Sequence, residues 1–136
     1  MMGTTLRQVS DAIEAILEDK IPDIEWKAAV LGPVFPKTLT GYICCDSVDY
    51  NVDTKGADTA EATFAIQIIC PNPKENPEGT EYVENYAMQV RETLAEEWDL
   101  DGWARDSSVE KITFATPAGI SSVGVAILEF HVQYEE

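Results

Sequence analysis

Residues 123–134 read VGVAILEFHVQY, and this stretch decides the fold. At period two, one side of it is apolar throughout: Gly124, Ala126, Leu128, Phe130, Val132 and Tyr134. The other side begins with three aliphatic residues and ends with three polar ones: Val123, Val125, Ile127, Glu129, His131 and Gln133. Because successive strand residues point to opposite faces, this pattern predicts a long strand with one buried face and a second face that opens toward its end. Such a strand is typical of a sheet interior covered by helices, and we expect Phe130→Ala to be among the costliest changes in the chain.

Length and charge narrow the class of protein. The 136 residues are those of one domain with one core, so we predict a single domain over 1–136. Twenty-five acidic and nine basic residues give a formal net charge of −16. This balance argues against binding nucleic acid through its phosphates and against docking on an anionic membrane. With no apolar run of transmembrane length and no signal pattern at its beginning, the chain is expected in a cytoplasm.

Two segments have the apolar spacing of amphipathic helices. The first covers residues 5–20, where Thr5 and Gln8 are spaced as a capping box and Pro22 follows the end. The second covers residues 80–98 and carries an apolar stripe that ends at a tryptophan: Val83, Tyr86, Ala87, Val90, Leu94 and Trp98.

Alternation of apolar and polar residues predicts strands over 24–31, 42–52, 62–70, 109–115 and 123–134. The order is α-β-β-β-α-β-β, which indicates an α+β fold with a mostly antiparallel sheet and both helices on one face. We expect strands 42–52 and 62–70 to form a long hairpin that projects from the body. Its polar tip, residues 53–59, includes Lys55 and Gly56. The pattern does not predict the order of the strands in the sheet.

The sequence contains no recognisable catalytic, cofactor or metal motif, so we predict a protein without enzymatic activity or cofactor. A catalytic triad would need the single histidine, His131, whose simpler interpretation is a partly exposed strand residue. The three cysteines have no zinc spacing and are expected to be small buried strand residues. A calcium loop that starts at Asp49 fails, because Thr54 occupies the glycine position and Ala60 the position of the bidentate glutamate.

Two tryptophans, Trp98 and Trp103, lie close together near an acidic loop. Either both cover the core, or they belong to a subunit interface, where tryptophan is enriched. The candidate interface residues are these two tryptophans and the polar residues of the hairpin tip: Trp98, Trp103, Asp53, Lys55, Gly56 and Asp58.

The pattern as a whole resembles the tail terminator proteins of long-tailed bacteriophages. The resemblance lies in the first helix (TTLRQVSDAIEAILEDKIP), the hairpin with its polar tip, the second helix (EYVENYAMQVRETLAEEW), and the closing strands ITFATP and GVAILEFHVQYEE. It covers most of the chain in element order and is shared with related tail completion and head–tail joining proteins.

The resemblance implies an α+β subunit of a hexameric ring in the virion tail, made in the host cytoplasm. Such a ring caps the tail tube, ends its polymerisation and meets a head connector or neck protein. The implied partners are other copies of the chain, the tail tube protein and the connector, while genome DNA passes without specific binding. An acidic wall is compatible with that passage, because it repels phosphates within about 8 Å at physiological salt.

A second class remains open, a small acidic inhibitor or immunity-type protein that imitates nucleic acid and binds a basic partner. Such a protein needs a dense acidic stripe, whereas the acidic residues here are spread over helices, hairpin and loops. Native mass would help to separate the two classes, because a ring protein can assemble whereas an inhibitor is expected to be a monomer or dimer.

Overall fold

The computed structural model describes residues 3–29, 36–50, 59–71, 79–115 and 123–136. Two helices and five strands follow one another along the chain. They are α1 (Leu6–Lys20), β1 (Glu25–Lys27), β2 (Thr40–Asp49), β3 (Thr59–Pro71), α2 (Gly79–Glu96), β4 (Asp106–Ala115) and β5 (Val123–Glu135). The fold is α+β, and the predicted element order is confirmed.

The five strands form one mixed sheet in the order β1-β2-β3-β5-β4. β1 runs parallel to β2, and the other three pairings are antiparallel. β3 and β5 pair along thirteen residue positions, from Thr59 opposite Glu135 to Pro71 opposite Val123. β5 is therefore an interior strand with β3 on one side and β4 on the other.

The main core lies on the side of the sheet that the helices cover, which we call the helix face. Alternate residues of β3 and β5 meet there, with Phe64 opposite Phe130 and Ile66 opposite Leu128. All four of these side chains are fully buried. Buried residues of both helices belong to the same cluster: Val9, Ile13, Leu17, Val83, Ala87, Val90 and Leu94.

The opposite side of the sheet, which we call the open face, changes character along its length. At one end Tyr42, Ile69, Val123 and Val125 form a small buried cluster. Beyond Ile127, the open-face residues of β5 are half-buried polar side chains. This confirms the predicted transition along β5 from a covered second face to an accessible one.

The first helix begins as its sequence predicts. Thr5 Oγ1 accepts a hydrogen bond from Gln8 N at 3.2 Å, and Thr5 N donates to Gln8 Oε1 at 2.8 Å. These two bonds are the capping box, which satisfies backbone donors that have no partner in the first turn of a helix.

A close approach of side chain to backbone fixes the β1 edge. The indole of Trp26 is almost fully buried, and its Nε1 donates to Ile21 O at 3.1 Å. The ring lies against Gly41 of β2, where a Cβ would stand 2.3 Å from Trp26 Cζ3. Only a residue without a side chain fits at position 41.

Three sequence predictions need correction. β1 covers Glu25–Lys27 rather than 24–31, and Ala28 is exposed. Thr59, predicted in the hairpin tip, is a buried residue of β3. Cys44 and Cys45 are half-buried rather than buried, whereas Cys70 is buried as expected.

The predicted apolar stripe of the second helix is wrong at its end. The helix stops at Glu96, and Leu100 and Asp101 follow with φ of 49° and 59°. This left-handed turn directs Leu100 fully into the core, whereas Trp98 is the last residue of the predicted stripe. Trp98 consequently points outward.

Candidate functional site: the open face and two tryptophan grooves

Strand register gathers polar residues at one end of the open face. Asp49, Glu61, Gln133 and Asp106 stand in one row across β2, β3, β5 and β4. Thr63, His131 and Ser108 stand in the next row on β3, β5 and β4. This end of the sheet thus combines carboxylates, hydroxyls and the single histidine of the chain.

His131 lies between two carboxylates. Its Nδ1 is 3.0 Å from Glu61 Oε1, and its Nε2 is 2.8 Å from Glu129 Oε2. Glu129 is two residues away on the same face of β5, and Glu61 belongs to β3. A protonated imidazole donates to both carboxylates at once, whereas a neutral one has a single N–H to donate.

Opposing effects act on the pKa of His131. Partial burial lowers this pKa, while the hydrogen bonds and charges of Glu129 and Glu61 raise it, and the net result lies above the ordinary value of 6.5. The carboxylates therefore favour the imidazolium. This environment stabilises the charged form of the imidazole.

An acidic groove of about 210 Å³ adjoins the histidine. Polar residues of β3, β4 and β5 line it: Glu61, Asp106, Ser107, Ser108, Glu110, His131 and Gln133. Ser107 N donates to Asp106 Oδ1 at 2.9 Å, and Ser108 Oγ bonds to Glu110 Oε2. With several carboxylates and one histidine, the groove suits a cationic group better than an anionic one.

Both candidate tryptophans are accessible, and they line different grooves. Trp98 is 50% exposed and Trp103 is 39% exposed. Neither indole is fully buried, and a place for them in a subunit interface stays a prediction. The sequence placed the two together, whereas the structure assigns each to a separate surface.

The Trp103 groove, of about 310 Å³, lies between α1 and the turn that follows α2. Its α1 wall includes Ala12, Ala15 and Ile16, and acidic residues stand at Asp11 and Asp101. The preceding residue, Gly102, has φ of 91° and no heavy atom within 4 Å of its would-be Cβ. The indole thus stands beside a strip of small apolar helix residues.

The Trp98 groove, of about 260 Å³, lies between α2 and the start of β4. Its residues come from the last turns of α2, the turn that follows it and the facing strand: Arg91, Leu94, Ala95, Trp98, Ser107, Ser108 and Val109. Ser107 Oγ donates to Trp98 O at 2.5 Å and joins the two walls at one end.

The remaining candidates, Asp53, Lys55, Gly56 and Asp58, fall outside the described residues, as does most of the predicted hairpin tip. β2 and β3, which lead to it, do pair antiparallel from Thr40 opposite Ile69 to Asp49 opposite Glu61. Whether the tip projects stays a prediction.

Sequence reasoning missed the partners of His131 and the stripe beside Trp98. The partner Glu129 is predictable from the two-residue period of β5, which places it on the same face as His131. The partner Glu61 is predictable only once the register between β3 and β5 is known. On α2, Met88, Arg91 and Ala95 have the spacing of one helix face and are exposed, and Trp98, also exposed, follows the helix end at Glu96. The apolar stripe that packs on the sheet masked this second, weaker stripe.

Within the described part of the chain, no group of three or more histidine, cysteine, aspartate or glutamate residues is placed to hold a metal ion. Neither described helix has the length and apolarity required to span a bilayer.

Comparisons with known proteins include two distant likenesses among solved structures. No protein-family model matches the chain, and no curated protein matches it. Among solved structures, the chain is similar to a component of the virion of a native gene transfer agent particle, with 14% identity, TM-score 0.48, and coverage of 91% of this chain and 84% of that one. A second solved protein shows 13% identity, TM-score 0.44, and coverage of 92% and 93%. Both TM-scores are below 0.5, and neither likeness assigns a function to this chain.

Proposed function

We propose that this chain is a structural virion protein that assembles with copies of itself into a ring on the tail of a phage-type particle. In this role it caps the tail tube, ends tube polymerisation and meets the head connector or neck protein. The element order, which resembles that of tail terminator proteins, supports the proposal. The observation that carries it is the exposure of Trp103 beside apolar residues of α1.

Trp103 is the proposed centre of one ring contact. Tryptophan is enriched where interfaces carry most of their binding energy. Burying the large apolar surface of an exposed indole in an interface favours association. The neighbouring Ala12, Ala15 and Ile16 form a shallow apolar floor that a partner side chain could fill. Asp11 and Asp101 form a polar rim around it.

The hairpin tip is the proposed second contact. A ring built by rotation needs two different complementary patches on each subunit, because head-to-tail contacts close into rings. The polar residues Asp53, Lys55, Gly56 and Asp58 have little apolar area for the subunit core, so we assign the tip to assembly. Shortening it should leave the melting temperature nearly unchanged and reduce capping of tails.

The charge of −16 fits a ring through which DNA passes without being held. Carboxylates on the ring wall repel phosphates at short range. We further propose that the protein performs no turnover. Any catalytic activity that His131→Ala abolishes while the circular dichroism spectrum stays native would contradict this.

The test is capping of purified tail tubes, read by negative-stain imaging and by native mass. We expect the wild-type chain to form rings at tube ends and Trp103→Ala to remain folded but cap poorly. Trp98→Ala is the matched control, since it removes the same side chain from the other groove. Loss of capping with Trp98→Ala alone would contradict the assignment to Trp103, and no capping by the wild type would overturn the proposal.

One observation favours a second candidate, an acidic inhibitor of a basic protein. Glu61, Asp106 and Glu110 converge on one groove instead of being scattered over the surface. A chain that stays monomeric with tail tubes, but forms a stoichiometric complex with a basic enzyme and blocks it, would support this candidate over the ring.

A further inference from the structure

Within the described residues, the outer edge of β4 is open. β4 is the last strand of the sheet and pairs only with β5 among the described strands. Asp106, Ser108, Glu110, Lys111 and Thr113 are all exposed along it. An unpaired edge presents a row of backbone donors and acceptors that can pair with another extended chain.

The two grooves described above flank the first half of this edge on opposite faces of the sheet. On the helix face lies the Trp98 groove, with Ala95, Trp98 and Val109 as its apolar surface. On the open face lies the acidic groove, with Asp106 and Glu110 nearest the edge. Ser107 and Ser108 belong to both grooves, so the edge runs between them.

An added strand would direct its side chains into these two grooves alternately. Successive strand residues point to opposite faces, and neighbouring strands lie about 4.8 Å apart. One set of side chains would therefore contact Ala95, Trp98 and Val109, and the other would stand over Asp106 and Glu110. The first set must be apolar and the second cationic.

From this placement we propose that the β4 edge binds an extended segment of another protein in which apolar residues alternate with lysine or arginine. The segment adds to β4 as a sixth strand, so backbone hydrogen bonds supply affinity and the two grooves supply selectivity. This proposal rests on the geometry around β4 and does not depend on the ring role.

A second copy of this chain is a poor occupant. Its nearest two basic residues, Arg105 and Lys111, stand six positions apart, so no stretch of it alternates apolar and basic residues. Two copies would also bring Asp106 and Glu110 toward a partner of formal charge −16.

The probe is a synthetic peptide of about nine residues, near the length of a long strand, that alternates valine and lysine and is blocked at both ends. Two control peptides accompany it, one with the same residues in two blocks and one with glutamate in place of lysine. Binding is measured by calorimetry, and the site is located from amide chemical shifts. We expect the alternating lysine peptide to bind at least tenfold more tightly than either control, with the largest shifts in β4.

Variants of the protein distinguish specific binding in the two grooves from a general effect of the protein's charge on peptide binding. Trp98→Ala and Glu110→Lys should each weaken binding of the alternating peptide about tenfold, a difference of about 1.4 kcal/mol. Trp103→Ala and Glu18→Lys are the matched controls, because each makes an equivalent change outside both grooves and should leave binding unchanged.

Four outcomes would overturn the proposal: equal binding of the block peptide, equal weakening by Glu18→Lys, largest shifts outside β4, or β4 amides already protected from exchange in an oligomer of the free protein. The last would show that a second copy occupies the edge. Failure to cap tail tubes would leave this result unaffected, so the two proposals can fail separately.

Discussion

β5 and β4 are neighbours in the sheet, yet their side chains differ in burial. Phe130 of β5 is fully buried, whereas Phe114 of β4 is 41% exposed, although both point to the helix face. β5 has a strand on either side and α2 above it. Among the described strands β4 has one neighbour, and its helix face is partly exposed at Phe114. Position in the sheet, more than the apolar content of a strand, decides which side chains contribute to stability and which remain available for binding.

The sharpest test of this difference compares the two phenylalanines. Phe130→Ala should lower the free energy of unfolding by ~3–5 kcal/mol, because it leaves a cavity between Phe64 and the helices. Phe114→Ala removes the same side chain from the edge and should cost well under half as much. Urea denaturation of both variants measures the effect. Similar losses would show that the edge strand contributes to the core as much as the interior one.

The other edge of the sheet shows that an edge strand need not be exposed. Trp26 of β1 is buried because Gly41 lets its indole lie on the β2 backbone. Gly41→Ala would place a Cβ 2.3 Å from Trp26 Cζ3, so the ring or the strand must shift. We expect a loss of ~1–3 kcal/mol from this overpacking. The intrinsic fluorescence should move to the red, because the buried Trp26 becomes more exposed to water while Trp98 and Trp103 are already exposed.

These two predictions rest on features that the sequence reveals to different degrees. The strand at 123–134, the helix at 5–20 and the element order follow from periodicity and capping chemistry, which are local. The strand order and the Glu61–His131 contact depend on pairing between distant segments, and no local pattern encodes it. Helical periodicity predicts Trp98 on the apolar stripe, but α2 stops at Glu96 and the left-handed turn at Leu100 follows.

The pH dependence of stability tests the interactions of His131 on the open face of β5. Its pKa is raised above 6.5, so the folded state binds the proton more tightly than the unfolded chain does. The resulting stabilisation is present below the unfolded pKa and is lost as the pH rises through the folded pKa. We expect the wild type to exceed His131→Gln in stability at pH 5.5 by up to about 1 kcal/mol, given the partial exposure of the cluster.

The measurement is the urea midpoint of the two proteins from pH 5.5 to pH 8.5, and the difference between them should shrink toward high pH. Thr63→Ala, which changes a neighbouring residue of the same row without removing an ionisable group, serves as the control. A gap that stays constant or widens with pH would mean that the imidazolium is not the stabilised form.

The smallest effect on stability is expected at Trp103. Substitution of this residue is also the most direct test of the proposed function. Substituting a buried tryptophan with alanine typically costs ~3–5 kcal/mol, but Trp103 is 39% exposed and stands beside a shallow groove. Trp103→Ala should therefore leave the urea midpoint of the isolated subunit almost unchanged while it weakens capping of tail tubes. Trp26→Ala, the buried counterpart, should unfold several kcal/mol more easily. A comparable destabilisation of the Trp103 variant would mean that its indole holds α1 against the turn after α2, and the ring contact would then have to lie on another surface.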